Sequence, residues 1–395
     1  MPKGRARKWS THKKRKELKT PLGREKNAPT AEVWETMTVY MGFTVTDDEE
    51  KEHTFRPNDI VRVLPNRRKV GDPIDDLDYW LCQVVDIRAK SDTNVWALVQ
   101  WFYSPQEAAE EVPGFDASHC GAYERLRSNH TDCISSAVFD GKVIVKEYND
   151  TSLMQEEILE GEFFCRYTID CKNKSISPPP RTTCSCLQPY NPSDPTPGAL
   201  MHFCPQPDCR RFYHSRCVAP TGAPSAAERD RSFLFRDPDT GIPLAFDTLS
   251  SASAPAERPK KRRRANQAPS AAAGLAALLD ALPPVLVRAA AQPIVRGGAF
   301  HAGGVVGNAA AITAARRLVF DALRDGRKVP DGWADAEMPD GWEALVDVRL
   351  GELPSSVKSA RVRRTSLGVV SNGKGKGRNV EEVLALECPE CGGPI

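Results

Sequence analysis

Eight residues hold most of the metal chemistry open to this chain: Cys184, Cys186, Cys204, Cys209, His214, Cys217, Cys388 and Cys391. Thiolates and a neutral imidazole suit tetrahedral zinc, and closely spaced pairs let one backbone knuckle supply two ligands. A site filled by four such protein ligands leaves no position for a catalytic water, so the expected role is structural. A second group is aromatic. Trp101 and Tyr103 stand two apart on an apolar run, so both rings leave the same face of a strand, and Trp80 opens the run before it. Three such faces suit a methylated ammonium, which donates no hydrogen bonds and is attracted by ring faces.

The elements that must position these groups are short. Between residues 79 and 148 apolar residues recur at alternate or near-alternate positions, rich in β-branched and aromatic types and broken by Gly, Pro and Asp. That is the pattern of half-buried antiparallel strands. Strands are expected over 41–45, 59–64, 80–87, 95–103, 137–145 and 163–169, with one short helix over 104–111. Runs this short and closely spaced predict a strongly bent sheet or small barrel. The proline run after Ile176 reads as a stiff spacer.

Outside that region the composition changes. Residues 1–26 carry eleven Lys and Arg against Glu17 and Glu25, so the rest of a chain of net charge +2 sums to −7. The arm reads as a disordered basic tail suited to non-specific contact with DNA phosphates. It lacks the apolar core of a secretory signal, and no apolar stretch is long enough to span a bilayer, so no membrane partner is expected. Twelve cysteines in an intracellular chain read as thiols and metal ligands. The expected order is a disordered basic tail over 1–35, a β domain over 36–175 and a cysteine-rich segment over 182–221. A disordered linker over 222–273, a helical insertion over 274–350, a connector over 351–380 and a last ligand pair over 381–395 follow. The pentad Lys260-Lys261-Arg262-Arg263-Arg264 in the linker reads as a nuclear-import signal, placing the protein in the nucleus. The glycines from Gly297 to Gly307 lack the order of a phosphate loop and read as a link between helices.

Taken together these pieces resemble the BAH–PHD chromatin readers, of the plant short-life and early-bolting type and the fungal effector of Polycomb repression. Trp80-Leu-Cys-Gln-Val-Val-Asp-Ile87 and Gln100-Trp-Phe-Tyr-Ser-Pro-Gln-Glu107 look like two BAH strands. Glu124-Arg-Leu-Arg-Ser-Asn-His130 with Asp132, Phe139-Asp-Gly-Lys-Val-Ile-Val145 and Phe163-Phe-Cys-Arg-Tyr167 continue the pattern. Cys184-Ser-Cys-Leu-Gln-Pro-Tyr-Asn-Pro192 looks like the opening of a PHD finger, whose ligand order is four Cys, His, three Cys; a RING finger would place its histidine fourth. The resemblance implies a mainly β fold, a BAH domain followed by a zinc-stabilised PHD finger that a long, partly helical insertion splits. It implies two zinc ions, one on Cys184, Cys186, His214 and Cys217, the other on Cys204, Cys209, Cys388 and Cys391. It implies a methyl-lysine cup of Trp80, Trp101 and Tyr103, with His130 and Asp132 lining a channel for the histone H3 tail. It also implies a second cage at Tyr190, Met201 and Phe212, where this chain has Phe in place of the family's Trp.

The split is affordable in entropy. Lengthening the loop between Cys217 and Cys388 from ~20 to ~170 residues costs roughly 2 kcal/mol, whereas a structural zinc contributes on the order of 10 kcal/mol. On that arithmetic residues 222–375 are expected to be replaceable by a short linker. The implied function is non-enzymatic: reading methylated lysine on H3, with lysine 27 for the cup and lysine 4 for the finger, in transcriptional repression. The competing reading is a non-catalytic scaffold subunit of a chromatin-modifying complex that uses BAH for protein contacts. No nucleophile elbow, phosphate loop or cofactor fingerprint supports an enzyme.

Overall fold

The computed structural model describes residues 7–8, 27–46, 52–65, 74–220, 232–244, 277–298, 300, 303–326, 328–346, 386–393 and 395. They belong to two compact units, one drawn from Met1–Asp150 and Glu160–Arg181, the other from Thr151–Leu159 and Thr182–Ile395. Most of the basic arm, the pentad 260–264, the connector 351–380 and residues 381–385 lie outside the described residues. Among the described residues no helix is long and apolar enough to cross a membrane.

The first unit is mainly β. Its helices are α1 (Ala31–Thr36) and α2 (Pro105–Glu111). Its strands are β1 (Phe43–Thr46), β2 (Glu52–Phe55), β3 (Ile60–Val63), β4 (Trp80–Ser91), β5 (Asn94–Tyr103), β6 (Leu126–Ser135) and β7 (Phe139–Lys142). Four short ones follow: β8 (Val145–Glu147), β9 (Phe163–Cys165), β10 (Thr168–Asp170) and β11 (Ser175–Ser177). The main sheet has the order β11-β10-β6-β5-β4-β3-β7, an open path among the described residues. Alternation fixes its faces. Val95, Ala97, Val99, Trp101 and Tyr103 on β5 enter the main core, while Trp96 and Phe102 enter clusters on the other side. On β4 the parity slips at a bulge between Val84 and Asp86. Cys82 and Val84, then Ile87 and Ala89, therefore reach the same core, and Val85 is left exposed. Helix α2 starts on a capping box: Ser104 and Glu107 exchange side-chain and backbone hydrogen bonds, with Pro105 in the first turn.

Two expectations need correction here. The ten-residue β6, second neighbour of β4 through β5, was not expected as a strand, and the run 137–145 divides between β7 and β8. The disordered tail does not extend to 35. Thr30 caps α1, Trp34 is buried with Met37 and Trp96, and the Arg88 guanidinium lies 5.1 Å above the Trp34 ring.

The second unit mixes a small sheet with a helical core. Its elements are β12 (Met201–Phe203), β13 (Phe212–His214), α3 (Pro284–Ala290), β14 (Val295–Arg296), α4 (Ala309–Asp325), α5 (Trp333–Glu337), α6 (Trp342–Val346) and β15 (Leu386–Glu387). Ala311, Ala315, Val319 and Leu323 form the buried stripe of α4 at helical spacing, packed with Leu286, Val287 and Trp342. Gly326 ends α4 in the left-handed conformation at φ 62°. The linker expected over 222–273 is partly folded: Leu234 and Phe235 belong to this core, an apolar triplet with Phe233 inside a polar stretch. Thr151–Leu159, expected within the β domain, belongs to this unit as well, since Ile158 is fully buried and its carbonyl accepts from Val305 N at 2.9 Å. Leu386 lies in β15, which pairs antiparallel with Ala219–Pro220.

One charged pair lies inside the first unit. Arg166 Nε and Nη2 donate to the two Glu124 oxygens, each at 2.9 Å, and both side chains are excluded from solvent. Gly121 N also donates to Glu124, and His119 O accepts from Arg166, whose guanidinium lies 4.6 Å over the Tyr167 ring. Burial opposes the Arg166 charge, but Glu124 more than offsets it and holds the guanidinium's pKa above its ordinary value. Removing Glu124 takes away both short contacts of the Arg166 charge and leaves Asp150 at 3.8 Å. Glu124→Ala should therefore destabilise this unit by about 3–5 kcal/mol in chemical denaturation. Glu124→Ala combined with Arg166→Met should lose less than the single variant. Equal losses would show that the stranded charge is not the cause.

Candidate metal centres and aromatic cup

The second unit gathers the eight ligands into two sets. Cys184, Cys186, His214 and Cys217 form one and Cys204, Cys209, Cys388 and Cys391 the other, each with its donor atoms within 4.8 Å of one another. The sets interleave along the chain, because β13 delivers His214 to the first while the turn before it delivers Cys204 and Cys209 to the second. The distances match a tetrahedron: thiolates at about 2.3 Å from zinc stand about 3.7 Å apart. Cys204 and Cys391 Sγ are 3.6 Å apart, Cys209 and Cys388 Sγ 3.7 Å, and Cys186 Sγ is 3.3 Å from His214 Nδ1. All twelve cysteines are free thiols. Burial, then the Arg216 charge, lowers the His214 pKa to about 4, so the imidazole is in the neutral form that ligates. The donor sets are thus compatible with two zinc ions in closed, structural sites.

Side chains around the second set steady it. Tyr213 donates from its hydroxyl to Glu390 at 2.8 Å and also lies 3.0 Å from Cys209 Sγ. Arg211 pairs with the same carboxylate. Glu390, between the last two cysteines, therefore ties the terminal knuckle to β13. Sequence reading missed this network, and only the position of Glu390 between two ligands hints at it.

In the first unit the fold brings the three cup residues together. Cys82 pairs with Trp101 and Leu81 with Phe102, so Trp80 lies on the same sheet face as Trp101, across from Tyr103. The Trp80 and Trp101 ring centroids are 6.4 Å apart and nearly perpendicular. On the opposite flank Val99 pairs with Asp132 and Gln100 with Thr131. The register then slips so that Phe102 meets Arg127, leaving Ser128, Asn129 and His130 opposite Trp101 alone. This irregularity aims His130 at Tyr103, whose hydroxyl is 3.1 Å from His130 Nδ1. Ser128 donates from its hydroxyl to Trp101 O at 2.7 Å and fixes the bulge. At the near end Tyr79 donates to Asp140 at 2.7 Å, and burial followed by Asp140 raises its pKa to about 12.

Burial is deep. Trp101 is 4% and Tyr103 6% exposed, and only Trp80 is half-buried. Burial raises the Tyr103 pKa, keeping the phenol neutral. The Trp101 indole N–H is buried and has no hydrogen-bond partner among the described residues. Asp132 is directly opposite Val99 and so shares the cup's face. The second cage is different. Tyr190, Met201 and Phe212 are all buried, and the Arg296 guanidinium lies over the Phe212 ring at 3.7 Å and the Tyr190 ring at 4.4 Å. As an open cage for an incoming lysine these three residues are corrected: Arg296 covers the Tyr190 and Phe212 rings, and Met201 is fully buried. Arg296 comes from β14, which pairs with β12, so the insertion is part of the sheet that carries the ligands. The expectation that 222–375 could be exchanged for a short linker fails on that pairing.

Residues 53–180 match the family model of the BAH domain. The crystal structure of the yeast Rsc2 BAH domain is similar at 12% identity and a TM-score of 0.24, over 34% of this chain and 52% of that one. The chain thus spans about half the length of that solved structure. No curated protein matches it. The first unit accordingly contains a mainly β BAH domain, a non-catalytic module associated with chromatin, and the second a pair of cysteine and histidine clusters fit for metal.

Metal analysis of the purified protein should find two zinc ions per chain, motivated by the two four-donor clusters. Cys388→Ser should reduce the content to one and leave the set containing His214 loaded. Two ions retained in Cys388→Ser would separate the terminal pair from the second site.

Proposed function

We propose that this chain is a non-catalytic histone-mark reader of the BAH–PHD type, acting in the nucleus in transcriptional repression. The BAH cup takes a trimethylated lysine of the histone H3 tail, with lysine 27 the mark to test first. His130 and Asp132 line the path of the peptide. The observation that carries this reading is the meeting of Trp80, Trp101 and Tyr103 on one face of adjacent strands, inside the segment that matches the BAH family. Half-buried Trp80 forms the rim. A trimethylammonium entering beside it would be held by aromatic faces and not by hydrogen bonds, which is how such a group is told from plain lysine. The reading of methylated lysine 4 by the finger is not carried forward, because Arg296 covers its rings.

One observation favours the scaffold reading: Trp101 and Tyr103 count among the main core. Titrating the full chain against H3 peptides decides between the two. A reader prefers one methylated peptide, and a scaffold binds methylated and plain peptides alike. Each aromatic face contributes ~0.5–2 kcal/mol to holding the cation. Tyr103→Ala should thus weaken trimethylated peptide several-fold to tens-fold, with plain peptide nearly unchanged. Circular dichroism and thermal unfolding must show the variant folded. A folded Tyr103→Ala protein that binds trimethylated peptide as well as wild type sinks the cup.

A further inference from the structure

The glycine-rich stretch from Gly297 to Gly307 and the arginine just before it have no part in the function above, and they meet the second unit at its aromatic pair. Arg296 is 4% exposed, and arginine is seldom buried this deeply. Its guanidinium is stacked on two rings, 3.7 Å from the centroid of Phe212 and 4.4 Å from that of Tyr190. Both rings are held in place. The Tyr190 hydroxyl donates to Val305 O at 2.6 Å, and Phe212 packs on Phe203 with centroids 5.1 Å apart. The backbone is fastened around the arginine as well. Phe203 N donates to Ile294 O, Asn308 N to Val295 O, and Val295 N to the Asn308 side chain.

The glycines make this approach possible. A Cβ on Gly307 would lie 1.9 Å from Val295 O and 2.6 Å from Arg296 Cα, at φ +68°. A Cβ on Gly297, at φ +132°, would press on Leu200 Cα at 3.3 Å. No other residue type lets the chain lie this close at Gly307. The stretch therefore does more than link helices: it lays β14 flush against β12 and delivers one cation to one aromatic pair.

We propose that Arg296 is a built-in ligand of this aromatic site. The inserted segment fills from within a place whose chemistry suits a cationic side chain, guanidinium or methylated ammonium, and so closes the second unit to methylated tails while β14 is paired. The proposal concerns a site separate from the BAH cup and stands whether or not that cup reads a mark. A guanidinium on two buried rings is a desolvated cation–π contact, stronger than an exposed one. An outside lysine would have to displace it together with the pairing of β14.

The test uses the full zinc-loaded chain and an H3 tail peptide, plain or trimethylated at lysine 4, followed by fluorescence anisotropy. Wild type should bind the two forms alike. Arg296→Ala, checked for two zinc ions and a native circular dichroism spectrum, should prefer the trimethylated form by roughly tenfold or more. Adding Phe212→Ala should abolish that preference, which assigns it to this site and not to the BAH cup. Where Arg296→Ala fails to hold zinc, Gly307→Ala takes its place. It leaves the arginine and pushes β14 away, and the same preference should appear. Two results overturn the proposal: a wild-type preference for the methylated peptide that Phe212→Ala removes, or a folded Arg296→Ala or Gly307→Ala protein that binds both peptides alike.

Discussion

The second unit depends on one electrostatic constraint: thiol sulfurs brought within 3.6 and 3.7 Å of one another. Thiolates at that spacing repel unless a cation lies among them, and the edge they mark out is compatible with a tetrahedral zinc site. The same constraint organises the chain. Because the second ligand set takes Cys204 and Cys209 from one side of the insertion and Cys388 and Cys391 from the other, that site cannot form without closing the path from residue 217 to residue 388, and everything between must be accommodated. Loop entropy grows only with the logarithm of length, so the metal contribution exceeds the cost of closure many times over. Closure cost alone, however, misjudges the insertion. Length costs little, but Val295–Arg296 has become a strand of the ligand-bearing sheet, and α3, α4 and α6 have built a core of their own beside it.

In the first unit the governing tension is between packing and recognition. Trp101 and Tyr103 belong to the core that β5 shares with β3, β4 and β6, and the same rings are the candidate cup. The register break on β6 lets one set of side chains serve both ends. It places three residues opposite Trp101, turns His130 toward the Tyr103 hydroxyl and ties the Trp101 carbonyl to Ser128. Trp80, on the outer row, retains surface that the other two have given up. On the proposed reading, recognition on this face would rest on a rim residue above a rigid floor, not on three equally open walls.

What the sequence made legible was what periodicity and ligand chemistry encode. Strands β3, β4 and β5 and helix α2 follow from alternation and from Ser104 and Glu107 at capping-box spacing. The two ligand sets are those that the resemblance to the PHD order of Cys and His implies. Strand β6 stayed hidden because Arg127, Asn129, His130 and Asp132 break the apolar alternation that its neighbours keep. It is held by pairing on both flanks more than by its own apolar content. Helix α1 is short and lay next to a basic arm, so composition masked Trp34. The triplet Phe233-Leu234-Phe235 was lost in the same way, averaged into an Ala-, Ser- and Pro-rich stretch although three apolar residues are enough to join a core.

Arg296 marks the limit of such reading. No local pattern announces an arginine that will stack on rings of residues 190 and 212, about a hundred positions earlier. The signal was present in another form, in Gly297 and Gly307, whose spacing fits no phosphate loop. A glycine without a ligand to cradle can still be required where one backbone must approach another. At Gly307 the approach is to the carbonyl of Val295, the residue before the arginine. Physical economy links the two facts: a buried cation needs a fixed partner, a fixed partner needs a fixed backbone, and a backbone this close needs a residue with no side chain. The glycines and the arginine are thus one device, and the insertion that carries them is an integral part of the unit it interrupts.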